Sequence, residues 1–255
     1  MLIIWFIVLV VIVFFVLYKL FGSLNGAKLN GATLVEGMQN KQQIKLLSAA
    51  ETKDFLLSDS DGYIARLTKA DLKARNIDGL YKDFLSSAVY VDCPKNMVSV
   101  IADADALIAQ FSDLEDGWVN KSKLQDLPWI IGISPDGYEF NLPHTRGQVI
   151  MLPELVDAST LVHEKLHVYQ KMFPKDFEKY LHKQGFTLSK KSVARAANPD
   201  ADTQVYERDG VQWYGHYINE GRDVKYTPID SPRYDCPREY AVYTLVERYA
   251  KNKGE

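Results

Sequence analysis

The sequence predicts an α+β fold: a small mixed sheet plus helices, one helix carrying His-Glu-x-x-His, a mainly helical C-terminal part, and an N-terminal transmembrane helix ahead of them. Three observations predict it. Residues 1–18 contain no charged side chain, short β-branched runs punctuate the middle of the chain, and apolar residues recur at helical spacing on either side of those runs. The expected organisation is an anchor over 1–21, a linker over 22–45 and a folded domain over 46–255. At 255 residues, with 25% charged and 47% hydrophobic residues, the chain holds enough apolar surface for one sizeable domain.

The run Met1 to Tyr18 ends at Lys19. It is long enough to cross hydrocarbon, which takes about 20 apolar residues. A cleaved signal peptide, which would make the protein secreted, should start with a basic segment and end at a small-residue cleavage site, and neither is present. A retained anchor, and hence a single-pass membrane location, is therefore expected. Gly22 to Asn40 is rich in Gly, Asn and Ala and reads as a spacer. The net charge of −3 offers no footprint for nucleic acid. Cys93 and Cys236 can pair in an oxidising compartment or remain two thiols.

From Ser48 to Ser112 the chain reads as mostly helical. Ser48 and Thr68 are placed to cap helices running to Leu57 and Ala74, and Asp78 is placed to cap one through Leu85. Met97, Ile101, Ala104, Ile108 and Phe111 share one face of a helix between Lys95 and Phe111, which leaves Asp103 and Asp105 as solvated charges. Ala88 to Val91 reads as a short strand. Trp129 to Ser134 is an apolar strand stopped by Pro135-Asp136-Gly137, after which Tyr138-Glu139-Phe140 is expected to start a return strand. Gln148 to Leu152 is a further strand, which either offers an edge that an extended peptide could join or lies inside a sheet with no ligand.

Next comes the helix of interest. Val162, Leu166, Tyr169 and Phe173 form an apolar stripe, Asp157 or Ser159 can cap its start, and Pro174 stops it. His163 and His167 lie four residues apart, so on a helix their imidazoles share one face about 6 Å apart along the axis. Two imidazoles suit Zn²⁺, and the neighbouring carboxylate of Glu164 can take a proton from a water whose pKa the metal lowers to about 7. That is the chemistry of metal-assisted amide hydrolysis.

Downstream, Phe177, Tyr180 and Leu181 suggest a second helix, Lys183, Lys190, Lys191 and Arg195 a solvated basic loop, and Asn198-Pro199-Asp200 a turn. Gln204 to Glu207 and Val211 to Tyr217 read as a hairpin across Arg208-Asp209-Gly210. Pro237 to Lys251 is a helix with Pro near its first position. A catalytic zinc needs a third protein ligand, and the candidates are Glu239, His216, His182, Glu207 and Asp200. Glu239 is favoured because it stands in the first turn of a rigid helix, although an acid there also suits the helix dipole. Tyr206, Tyr214, Tyr217 and His216 are the candidate donors to an oxyanion.

His163, Glu164 and His167, a strand just upstream and a Glu on a later helix together resemble the zincin metallopeptidases of the gluzincin type. The resemblance spans about Ser112 to Lys251. It implies a zincin-like metalloprotease domain over 46–255, with His163 and His167 as zinc ligands, Glu164 as general base and Glu239 as third ligand. The order His-Glu-x-x-His, Asn-Pro-Asp, Pro-x-Glu is also similar to uncharacterised metalloprotease-like proteins of large DNA viruses. Two departures matter. Gln170 and Phe173 stand where a metzincin would have Gly and His, and Tyr243 stands where the gluzincin helix would carry Asp. The function expected is a membrane-anchored zinc peptidase acting on a peptide or protein substrate. The competing readings are a catalytically inactive, membrane-tethered zincin-like binding or structural protein, and a helical scaffold with an accidental motif.

Overall fold

The computed structural model describes residues 43–193, 198–201, 204–218, 223–227 and 236–250, without the side chains of 190–193, 215–218, 223–227 and 250. Its order is β1 (Ile44–Leu46), α1 (Ala49–Ser58), α2 (Lys69–Ala74), α3 (Tyr81–Ser87), α4 (Met97–Ile108), β2 (Leu114–Glu115), β3 (Val119–Asn120), α5 (Lys121–Asp126) and β4 (Trp129–Ile133). There follow β5 (His144–Arg146), β6 (Val149–Leu152), α6 (Ala158–Met172), α7 (Pro174–Lys183), β7 (Thr187–Val193), β8 (Gln204–Arg208), β9 (Val211–Ile218), β10 (Asp223–Thr227) and α8 (Pro237–Ala250).

A mixed sheet of order β1-β4-β6-β5 lies at the centre, with β1, β4 and β6 parallel and β5 antiparallel to β6. Both faces are covered, as the alternation along β6 records. Ile150 and Leu152 join the core shared with α4 and α6, while Val149 and Met151 join a second core with Leu56 of α1 and Tyr81 and Leu85 of α3. The helix starts follow local chemistry. Ser48 and Glu51, and likewise Thr68 and Asp71, close reciprocal capping boxes. Asp157 accepts from the Thr160 amide at 2.7 Å to begin α6.

α1 comes close to the sheet at Gly132. A Cβ built there would lie 2.9 Å from Thr52 Oγ1 and 3.2 Å from Leu47 Cδ1, and Thr52 is a fully buried, β-branched residue with little room to turn. Gly132→Ala is therefore expected to cost about 1–3 kcal/mol, read as a lower midpoint in urea unfolding.

Several expectations are corrected. The fold is mixed α and β throughout, and its C-terminal part is not mainly helical: β7 to β10 form a four-stranded antiparallel sheet of order β10-β9-β8-β7 before α8. The expected basic loop at Lys190 and Lys191 falls on β7. The transmembrane helix, and with it the membrane location, is not sustained: among the described residues no helix is long and apolar enough to cross a membrane. The proposed anchor over 1–21, and the linker up to residue 42, lie outside the described residues, and β1 begins at Ile44 within the expected linker. Ala88 to Val91 forms no strand, and Val89 is 81% exposed.

The return strand expected at Tyr138 is also replaced. Tyr138–Asn141 is a 3₁₀ turn in which Glu139, Phe140 and Asn141 take φ of 45°, 61° and 57°, a left-handed run without glycine. It is held by the inward carboxylate of Glu139, which accepts from Arg75 Nη2 at 2.7 Å, Tyr81 OH at 2.6 Å and Tyr63 OH at 2.9 Å. Burial works against that charge, but the Arg75 guanidinium holds the Glu139 carboxyl below its usual range. The chain then re-enters the sheet as β5.

Candidate metal centre

α6 packs against α4, α8, β5 and β6. The apolar stripe fixes its rotation: Leu161, Val162, Leu166 and Tyr169 are buried in the main core, which turns His163 and His167 toward the first turn of α8. α8 is pinned at its far end, where Arg248 Nη1 and Tyr249 OH each reach the Glu115 carboxylate at 2.7 Å. Glu239 is thereby held opposite the two rings.

The three side chains converge. His163 Nε2 and His167 Nε2 are 3.0 Å apart, and each lies 3.3 Å from Glu239 Oε2. Ligands set tetrahedrally around Zn²⁺ at about 2.0–2.1 Å are separated by about 3.3 Å, so the donor set matches three corners of such a site. Among the described residues these three form the one group of His, Cys, Asp and Glu whose ligand atoms lie within 4.8 Å of one another. His167 is fully buried, and the side chains of His163 and Glu239 are 12% and 10% exposed. Burial disfavours the charged ring of His167, yet Glu239 and Asp200 outweigh it and raise its pKa to about 9. The same rings draw the Glu239 carboxyl far below its usual range despite burial.

Glu164 lies beside this group in a cleft of about 520 Å³ that also includes His163, Glu239, Asp200, His144 and Tyr243. It is 3% exposed, and its Oε2 has no hydrogen-bond partner. Burial first, and then the Asp200 carboxylate, push its pKa well above the carboxylate range. A buried carboxyl oxygen left without a partner is costly in a folded protein.

Asp200 is a wall of the cleft and is not part of the converging triad. Its Oδ1 accepts from the Thr145 amide at 2.8 Å and the Thr145 hydroxyl at 2.5 Å, and Lys171 Nζ lies 3.3 Å away. Burial opposes its charge, but Lys171 keeps it ionised. Lys171 also donates to the Thr145 carbonyl at 2.8 Å. These bonds close the outer edge of β5 at Thr145. Of the two readings of this strand the interior one holds, since β6 lies between β4 and β5, and the edge strand on that side, β5, is occupied at Thr145 by Asp200 and Lys171.

His182 is exposed on α7 and Glu207 lies on β8, both away from the triad. His216 and Tyr217 fall on β9 with side chains outside the described set. Tyr206 and Tyr214 are not among the residues lining the cleft. Tyr243 is, and its ring packs edge-on against His163 with centroids 4.5 Å apart. Sequence reasoning passed over Tyr243 because it broke a carboxylate pattern. It missed His144, Thr145 and Lys171 because nothing in their spacing ties them to the histidines. No disulfide joins Cys93 and Cys236, which are both buried. No family model, curated protein or solved structure matches the chain.

Proposed function

We propose that the protein is a zinc-dependent metallopeptidase in which His163, His167 and Glu239 hold the metal and Glu164 is the general base. The observation that carries this reading is the spacing of the two Nε2 atoms and one carboxylate oxygen, beside a buried carboxyl oxygen with no partner. Zn²⁺ bound there would polarise a peptide carbonyl and make a water acidic enough to give up its proton near neutral pH. The cation's charge would favour the ionised form of Glu164, whose Oε2 would accept that proton as the water attacks the carbonyl and would return it to the departing amine. Asp200, tied to Thr145 of β5 and to Lys171 of α6, holds its part of the cleft wall in place.

The test is zinc content and peptide cleavage of the full-length protein, measured together for wild type and for His163→Ala, His167→Ala and Glu239→Ala. The expected result is one equivalent of zinc in the wild type, lost or greatly weakened in each variant, with cleavage of an unstructured protein that a chelator stops. Wild type free of zinc after purification and after zinc dialysis would overturn the reading. One equivalent of zinc without hydrolysis across a broad peptide library would replace it with a non-hydrolytic metal-binding protein.

A further inference from the structure

We infer that Gln170 is a positioning residue that sets which nitrogen of His167 faces the metal and ties that ring to the helix carrying Glu239. The inference rests on the zinc reading above and extends it to a residue that no motif assigns.

Gln170 is fully buried on α6, three residues after His167 and therefore on the same face. Its side chain spans two elements. Oε1 lies 3.1 Å from His167 Nδ1, and Nε2 donates to the backbone carbonyl of Arg238 at 3.1 Å. That carbonyl fixes the rest of the chain of bonds. A carbonyl only accepts, so the amide NH₂ of Gln170 must face it, and Oε1 must face the ring. Oε1 also only accepts, so Nδ1 of His167 must carry a proton. The lone pair of the neutral ring is then left on Nε2, the atom 3.0 Å from His163 Nε2 and 3.3 Å from Glu239 Oε2. One backbone oxygen, acting through one amide, thus dictates the tautomer that a metal ligand requires.

The far end of this bridge is significant. Arg238 is the residue immediately before Glu239, so Gln170 holds the first turn of α8 at the height of His167. Metal-bound histidines usually donate their second nitrogen to a carboxylate, a backbone carbonyl or water. Here a neutral amide takes that role, which adds no negative charge to a cluster that already holds Glu164, Asp200 and Glu239.

The experiment uses full-length protein and two readouts that do not need hydrolysis: zinc affinity by competition with a chelator, and the ¹⁵N spectrum of His167, which distinguishes Nδ1–H from Nε2–H. Wild type is expected to show Nδ1–H in metal-free protein above the pKa of the ring. Gln170→Leu, which keeps the volume and removes both bonds, is expected to bind zinc about 10–100-fold more weakly and to lose the single tautomer. Gln170→Glu keeps an acceptor for Nδ1–H but loses the donor to the Arg238 carbonyl, so it is expected to keep the single tautomer and to recover only part of the affinity. Unchanged affinity in Gln170→Leu, or a proton on Nε2 in the wild type, would overturn the inference. If Gln170→Leu does not fold, the wild-type tautomer alone decides it. If the wild type takes up no zinc, the metal reading falls, while the same spectrum still decides whether Gln170 orients the ring.

Discussion

Glu164→Gln is expected to retain one equivalent of zinc and to slow peptide hydrolysis by about 10²–10⁴-fold, the usual span for loss of a positioned base. The substitution is nearly isosteric and leaves the three converging ligands untouched, but an amide oxygen cannot take up a proton at neutral pH. Stability separates this outcome from misfolding. Burial and Asp200 raise the Glu164 pKa in the folded chain, so above the ordinary carboxylate range the unfolded chain has ionised while the folded one has not. The carboxyl therefore destabilises the metal-free fold at neutral pH. The amide removes that penalty, and the variant is expected to melt no lower than wild type without metal. Stopped-flow or fluorogenic-peptide assays beside zinc analysis check it. Wild-type turnover in a variant preparation free of wild-type enzyme would remove Glu164 from the mechanism.

The second large effect concerns Lys165, which points away from the cleft and over Trp129. Its side chain is 1% exposed, its Nζ has no hydrogen-bond partner, and it sits 4.0 Å over the ring of Trp129. Burial lowers its pKa from 10.5 to about 7. Between those values the unfolded chain holds a proton that the folded chain has released, so stability falls as the pH drops from 10.5 toward 7 and stays low below that. The full difference corresponds to about 4–5 kcal/mol, of which the Trp129 face returns about 1–2 kcal/mol to the protonated form. Lys165→Met keeps the length of the side chain and removes the charge. It is expected to raise the melting temperature at pH 7 by about 5–10 °C, a gain that shrinks toward pH 10. Thermal melts of both proteins across that range measure it, and a variant that melts below wild type at pH 7 would contradict it.

The helix of His163 was legible because its stripe is uninterrupted: Val162, Leu166 and Tyr169 are all buried where the period places them. The helix starts at Ser48 and Thr68, the strands at Trp129 and Val149, the β8–β9 hairpin and the final helix were legible for equally local reasons. Glu239 could be singled out from its place in a first turn, although only the folded chain brings it to the rings. What escaped was set by distant partners. β7 hid because its Lys-Lys pair reads as loop until β8 lies beside it. β5 hid because its three buried residues, His144, Thr145 and Arg146, are polar, and their partners lie far away: Asp59 and Asp61 for Arg146, and Asp200 for Thr145. Tyr138-Glu139-Phe140 reads as the start of a strand because its aromatic composition says nothing of Glu139 being drawn inward by Arg75. Gln170 was noted only as a residue that fails a metzincin pattern.

Glu239 stands 72 residues after His167, with the whole β7 to β10 sheet between them. The two imidazoles share one helix and are laid down together, while the carboxylate follows only after that sheet. Closing so long an intervening segment carries an entropic cost that the contacts of α8 must offset. The proposed cation site therefore exists only where α8 has docked, and a polypeptide cut before α8 would present the two rings without their carboxylate.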